Sequence, residues 1–233
     1  MTDLNQTYFL KRLNLSKFVI VQMAVLIAAQ LTLITSAWSQ PSADRLSRPI
    51  LVVGDSLAAE YGLRRGTGWV ALLAARLQKE KLPYSVVNAS ISGETTAGGR
   101  SRIDDLVKQH RPAWVLIELG GNDALRGLDL AGTESNLRTM TQTARQAKAQ
   151  VVLIGMMVPP NYGKTYTQKF AALFEQIASS ERSALVPFLL DGIADRLDLF
   201  QSDRIHPNQA AQQRLFENVW NVLQPLLKAE RAR

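Results

Sequence analysis

The sequence predicts an α/β fold, a single parallel sheet of five strands with helices packed on both faces. Three observations lead there. Short apolar runs recur five times along the chain, each with the length and continuity of a strand buried on both faces. Longer stretches between them carry apolar residues at helical spacing. The runs are followed by loops rich in glycine, asparagine, aspartate or proline, residues that break regular structure.

The elements follow in order. Ile50 to Val53 is the first strand, halted by Gly54, and helix-compatible residues resume at Leu57. Thr67 to Lys79 forms an amphipathic helix through Trp69, Val70, Leu72, Leu73 and Leu77. Pro83 marks a break, and Tyr84 to Ala89 is the second strand. The hydroxyl- and glycine-rich stretch Ser90 to Gly99 opens a helix that runs to about Gln109 and ends at Arg111-Pro112. Trp114 to Leu119 is strand three, stopped by Gly120-Gly121-Asn122-Asp123. A loop follows, then a helix from about Glu134 to Lys148. Val151 to Met157 is strand four, Tyr166 to Ser180 a helix, Ala184 to Leu189 a short fifth strand, and about Gln209 to Leu227 the last helix. Every loop of chemical interest follows a strand, so these loops gather on one edge of the sheet.

Residues 1–39 read as a removable leader, and residues 40–233 as one domain. Lys11, Arg12 and Lys17 precede the mostly apolar Phe18 to Ala37, and Ala37-Trp38-Ser39 offers a small-x-small cleavage site. The pattern implies export, to the periplasm in a bacterial cell; an uncleaved membrane anchor is the alternative. No cysteine is available for lipid attachment, disulfides or thiol chemistry. Lys11-Arg12 is not a twin-arginine signal. Losing the leader lowers the net charge from +7 to about +5, because it holds three cations and Asp3. The remaining charges are scattered, without the basic block that nucleic-acid binding requires.

Ser56 lies where the first strand ends, its backbone N–H at a helix start that favours negative charge. Taken alone, Gly54-Asp55-Ser56 reads as an N-cap turn. A serine hydroxyl is a poor nucleophile without a base, and the chain has two histidines. His110 falls at a helix C-terminus and reads as a surface residue. His206 precedes Pro207 and follows Asp203 by three residues, a spacing that folds the carboxylate onto the imidazole; a helix-capping turn is the competing interpretation. The Ser56 N–H, the Gly93 N–H and the Asn122 side-chain amide would supply oxyanion donors. Gly93 as a plain turn glycine and Asn122 as an Asx turn remain open on these residues alone. Asp55 and Asp123 are expected to organise their loops. Asp104 and Asp105 lie on a solvated helix face, and neither histidine has companions at metal-ligand spacing.

Four ordered blocks then settle the family resemblance. Gly54-Asp55-Ser56-Leu57, Asn88 to Thr95, Glu118 to Asp123, and Asp203-x-x-His206-Pro207-Asn208 resemble the SGNH (GDSL) hydrolase superfamily over essentially the whole segment after the leader. Leu119-Gly-Gly-Asn-Asp and Pro160-Asn161-Tyr162-Gly163 are most similar to its thioesterase I, lysophospholipase and arylesterase branch. The resemblance implies a three-layer flavodoxin-like fold with strand order 2-1-3-4-5. It also implies a Ser56–His206–Asp203 triad and an oxyanion hole of Ser56, Gly93 and Asn122. No metal or cofactor is called for. Two positions depart from the pattern: Glu60 and Arg204 stand where relatives commonly have glycine.

The expected activity is hydrolysis of carboxylic esters, and possible thioesters, of acyl substrates through an acyl-enzyme on Ser56. Lysophospholipids, fatty esters and aryl esters fit, met in solution or at a membrane surface by a chain expected to be monomeric. Leu125, Leu128, Val158 and Tyr162 are the candidate acyl contacts. The alternatives are a carbohydrate O-acetylesterase of the same superfamily and, from another class, a non-catalytic acyl- or glycan-binding domain.

Overall fold

The computed structural model describes residues 47–231; the predicted leader falls outside them. Five strands form one parallel sheet: β1 (Arg48–Gly54), β2 (Tyr84–Asn88), β3 (Trp114–Glu118), β4 (Gln150–Ile154) and β5 (Ala184–Val186). Their order is β2-β1-β3-β4-β5, as the resemblance implies. β1 and β3 occupy the middle, and Ile50 to Val53 and Val115 to Ile117 are wholly buried because both faces of these strands are covered.

Right-handed crossovers place the helices. The step from β1 to β2 runs one way across the sheet and all later steps run the other. α1 (Trp69–Lys79) therefore lies on one face, while α2 (Thr96–His110), α4 (Leu130–Gln146) and α5 (Lys164–Ser180) lie on the opposite one. The last helix, α6 (Gln212–Arg231), returns to pack on α1. The strand order reverses between β1 and β3, which opens a crevice at their carboxyl ends, the usual ligand position in open α/β sheets. The register pairs Gly54 with Glu118, so both strands end at the same level.

The differences from expectation are local. No helix forms after Ser56: residues 56–62 are turns, and Glu60 (φ 60°) and Gly62 (φ 68°) adopt left-handed backbone that a helix cannot continue. A five-residue helix, α3 (Gly121–Leu125), occupies what reads as a loop. α4 starts at Leu130 rather than Glu134, because the Asp129 side chain caps it by accepting from the Gly132 N–H at 2.9 Å. β4 ends at Ile154 and β5 at Val186, earlier than the apolar runs suggest. Gly155 N–H donates to Val186 O at 2.8 Å, and the Pro187 carbonyl then crosses directly against Gly155. α6 begins at Gln212 after a single 3₁₀ turn over Gln209–Ala211.

A side chain at Gly155 has no room. A Cβ there would lie 2.3 Å from the Pro187 carbonyl oxygen, which is backbone and cannot swing aside. Gly155→Ala is expected to destabilise the domain by about 1–3 kcal/mol, read as a lowered urea midpoint with an unchanged m-value; an unshifted midpoint contradicts the packing described.

Candidate active site

The crevice at the ends of β1 and β3 is assembled from backbone and buried acids. β1 must end in glycine, because a Cβ on Gly54 would meet Glu118 Oε2 at 2.7 Å and Ala58 Cβ at 2.9 Å. The next residue turns the chain. Asp55 N–H donates to Glu118 Oε2 at 3.2 Å, and Asp55 Oδ1 accepts from Leu57 N–H at 3.0 Å. Asp55 Oδ2 accepts from the Asn122 amide at 2.9 Å. Ser56 is thereby held at the end of the sheet by a turn tied to both central strands.

His206 comes from the long connection between β5 and α6. Its Nε2 lies 2.9 Å from Ser56 Oγ and its Nδ1 lies 2.7 Å from Asp203 Oδ2. The tautomer that satisfies both bonds carries the proton on Nδ1 and accepts from the serine hydroxyl. Asp203 Oδ1 also accepts the backbone N–H groups of Ile205 at 2.9 Å and His206 at 3.0 Å. Those bonds, the His206 N–H foremost, outweigh partial desolvation and hold the Asp203 carboxyl at about 2, so it is ionised at any working pH.

Gly93 sits at φ 77° in a turn closed by Glu94 N–H to Ile91 O at 3.1 Å, a backbone position that favours glycine. The Gly93 carbonyl accepts from Arg126 Nη2 at 2.8 Å. Asn122 lies in α3, and with one amide hydrogen on Asp55 its other is available to a ligand. Asp123 is buried and accepts from both the backbone N–H and the hydroxyl of Thr96, joining the loop after β3 to the start of α2. Asp55 and Asp123 thus organise loops, as their sequence context suggests. His110 is the last residue of α2 and has no part in the crevice.

Beside this line opens an apolar groove of about 350 Å³. Leu125 and Val158 line it as expected, with Met156, Phe188, Leu190, Phe200 and Ile205. Leu128 and Tyr162 do not. Leu128 faces a separate hollow with Tyr166 and Lys169, and Tyr162 Oη donates to Leu125 O at 3.3 Å, which braces the groove wall from behind. The two departures also part company. Arg204, at φ 59°, is the one charged residue lining the groove among the described residues, whereas the Glu60 carboxylate accepts the Gly66 and Gly68 N–H groups at 2.8 and 2.7 Å and braces the 61–68 loop.

Four participants escape sequence reasoning. The Tyr61 ring lies against the His206 imidazole with centroids 4.4 Å apart. Gln201 ties the two loops together, its N–H donating to His206 O at 2.8 Å and its side-chain amide to Tyr61 O at 2.9 Å. Arg126 holds Gly93 as described. Glu118 is fully buried and its Oε1 has no partner among the described residues. Burial raises the Glu118 carboxyl well above its usual range and the nearby Asp55 charge adds to this; burial likewise pushes Asp55 up to about 6, against the Leu57 and Asn122 bonds that lower it. Of the four, only Glu118 leaves a sequence signal, an acid closing an apolar strand.

A parallel α/β sheet with a serine, a histidine and an ionised carboxylate in hydrogen-bonded line at its strand ends defines a serine hydrolase. Comparison with known proteins specifies which: residues 52–214 match the GDSL-like Lipase/Acylhydrolase family, and the chain belongs to that family. It is 50% identical over 181 residues to Esterase TesA of Pseudomonas aeruginosa, covering 78% of this chain and 90% of that one. It is 40% identical over 178 residues to the Thioesterase 1/protease 1/lysophospholipase L1 of Escherichia coli K12, covering 76% and 84%. A crystal structure of TesA superposes with a TM-score of 0.75 at 50% identity, spanning 77% of this chain and 99% of the other. The protein is a serine ester hydrolase of the SGNH type.

The buried acids make stability fall as pH rises. A raised folded-state pKa means that Glu118 contributes fully below its unfolded value of 4.5, and that contribution is lost as pH climbs toward the folded value. Glu118→Gln keeps an acceptor for the Asp55 N–H and removes the titration. The variant should gain stability relative to wild type as pH rises above the unfolded value of 4.5, read by urea unfolding, while retaining esterase activity. Parallel pH profiles for the two proteins would show that Glu118 is not held protonated.

Proposed function

We propose that Ser56 is the nucleophile of a two-step hydrolysis of acyl esters, with His206 as general base and acid and Asp203 as its orienting carboxylate. Ser56 Oγ attacks the ester carbonyl carbon and passes its proton to His206 Nε2. The N–H groups of Ser56 and Gly93 and the free amide hydrogen of Asn122 receive the oxyanion. Collapse expels the alcohol, which takes the proton from the imidazolium. Water then gives a proton to His206, attacks the acyl carbon and releases the acid, and Ser56 recovers its proton. The 2.9 and 2.7 Å contacts through His206, at the mouth of the apolar groove, carry this reading.

The groove favours substrates with an extended acyl chain, because its lining is apolar but for Arg204. Lysophospholipids, fatty esters, aryl esters and thioesters share that feature, and the names of the relatives point the same way. An acetyl group would leave most of the groove unfilled, which argues against a carbohydrate O-acetylesterase. Export of the domain after removal of residues 1–39 belongs to the same proposal and rests on the leader pattern in the sequence.

Hydrolysis of p-nitrophenyl esters from acetate to palmitate, without added metal, is expected to peak beyond acetate. Ser56→Ala should reduce kcat by about 10⁴ or more. An optimum at acetate would restore the acetylesterase reading, and persistent turnover in Ser56→Ala would remove Ser56 as nucleophile. Asn122→Ala should cost on the order of 10²–10³ in kcat with little change in KM; a change confined to KM would place Asn122 in ground-state binding instead.

A further inference from the structure

The large apolar side chains left in water are not scattered. The eight among the described residues, 37–61% exposed, all lie in segments that follow a strand, on the edge that bears the site. Tyr61 covers His206, Ile91 shares the turn of Gly93, and Leu125, Met157 and Ile205 stand on the groove wall. The opposite edge has none; its connections present Lys81, Arg111, Lys148 and Arg182 in left-handed turns after helices. A monomer in water has no reason to gather exposed apolar side chains around one opening.

Cations accompany the apolar rim. Arg64, Arg65, Arg126 and Arg204 lie on the same edge, and none pairs with a carboxylate among the described residues. Most carboxylates of these segments are already engaged. Glu60 accepts from Gly66 and Gly68, Asp129 caps α4, and Asp203 holds His206. Glu94, Asp191 and Asp198 are bonded to Arg102, Arg214 and Arg196. Asp195 is the exception. The rim thus combines half-exposed apolar groups with guanidinium groups that make no ion pair among the described residues, the kind of groups that lodge at the boundary between acyl chains and anionic headgroups.

We infer that the rim of the site is a docking surface for an anionic phospholipid bilayer, which sets the groove mouth against the layer where acyl esters reside. The inference rests on the acyl-ester reading of the site. Apolar side chains enter the headgroup boundary, the arginines meet lipid phosphates, and an acyl ester passes into the groove without crossing bulk water.

The test uses residues 40–233, so that the apolar leader contributes nothing to binding. Among the described residues every core residue lies between Ile50 and Leu227, and the solved relative, 99% covered by 77% of this chain, folds as that domain. Co-sedimentation with vesicles of phosphatidylglycerol and phosphatidylethanolamine is compared with vesicles of phosphatidylcholine alone. Binding should be stronger on the anionic vesicles and weaken at high salt. Arg64→Ser/Arg65→Ser should lower the anionic partition coefficient by about 25-fold, at roughly fivefold per arginine. Leu197→Ser, at the most exposed of the eight apolar residues, in the connection after β5, should lower it by at least about threefold. Both variants should hydrolyse dissolved p-nitrophenyl butyrate at the wild-type rate, which also shows that they are folded.

Equal binding to both vesicle types, no binding, or indifference to the substitutions overturns the inference. So does a dimer in sedimentation equilibrium that Arg64→Ser/Arg65→Ser dissociates, since the rim would then be an interface between copies. Failure of vesicle binding with intact hydrolysis of the dissolved ester removes the docking surface alone. Vesicle binding without hydrolysis of any ester removes the functional reading instead.

Discussion

The seam between the ends of β1 and β3 is what the rest of the site depends on. These neighbours in the sheet end at the same level, and the chain must leave both without exposing backbone groups. Glu118 accepts the first N–H beyond β1, and Asp55 accepts both an N–H of its own turn and the amide of Asn122 beyond β3. Ser56 and Asn122 are therefore coupled through Asp55 and do not rest on independent loops. Gly54 allows the carboxyl of Glu118 to come this close, and that is the physical content of the glycine in the motif.

Carboxyls around the serine are sorted by environment. Asp203 is partly exposed and receives two backbone N–H groups and an imidazole, so ionisation costs little and is rewarded by each bond. Glu118 is cut off from water with one N–H to receive, and no cation among the described residues lies against it to repay a buried charge. The result is a negative charge on Asp203, hydrogen-bonded to His206 Nδ1, and a Glu118 carboxyl whose ionisation burial disfavours.

Strand ends and loop lengths divide the labour. The short, stiff turns after β1, β2 and β3 carry the groups that must be placed within fractions of an ångström. The long connection after β5 brings Asp203 and His206 across and is anchored back by Gln201 and Asn208, the latter donating to Leu199 O and to the Asp198 carbonyl. The same connection supplies Phe188, Leu190, Phe200, Arg204 and Ile205 to the groove, so substrate selection and the base share one segment.

The sequence alone determined the strands, the layer architecture and the Asp203–His206 pair, because each has a local cause. Buried parallel strands need unbroken apolar runs, helices need one apolar face, and Asp203-x-x-His206 closes within its own loop. The family resemblance added the strand order and the pairing of Ser56 with His206, 150 positions apart. What only the tertiary structure decided involves partners that no local periodicity or spacing names. The missing helix after Ser56 follows from the left-handed backbone of Glu60, whose carboxylate is drawn to Gly66 and Gly68. The early end of β4 follows from the crossing of Pro187 over Gly155. Leu125 reaches the groove as the last residue of α3, whereas Leu128 lies beyond that helix, beside Tyr166. Glu118 reads as an acid in an apolar strand, but only the approach of β1 makes it a buried support for the Asp55 N–H, since burial is a property of neighbours and not of the residue.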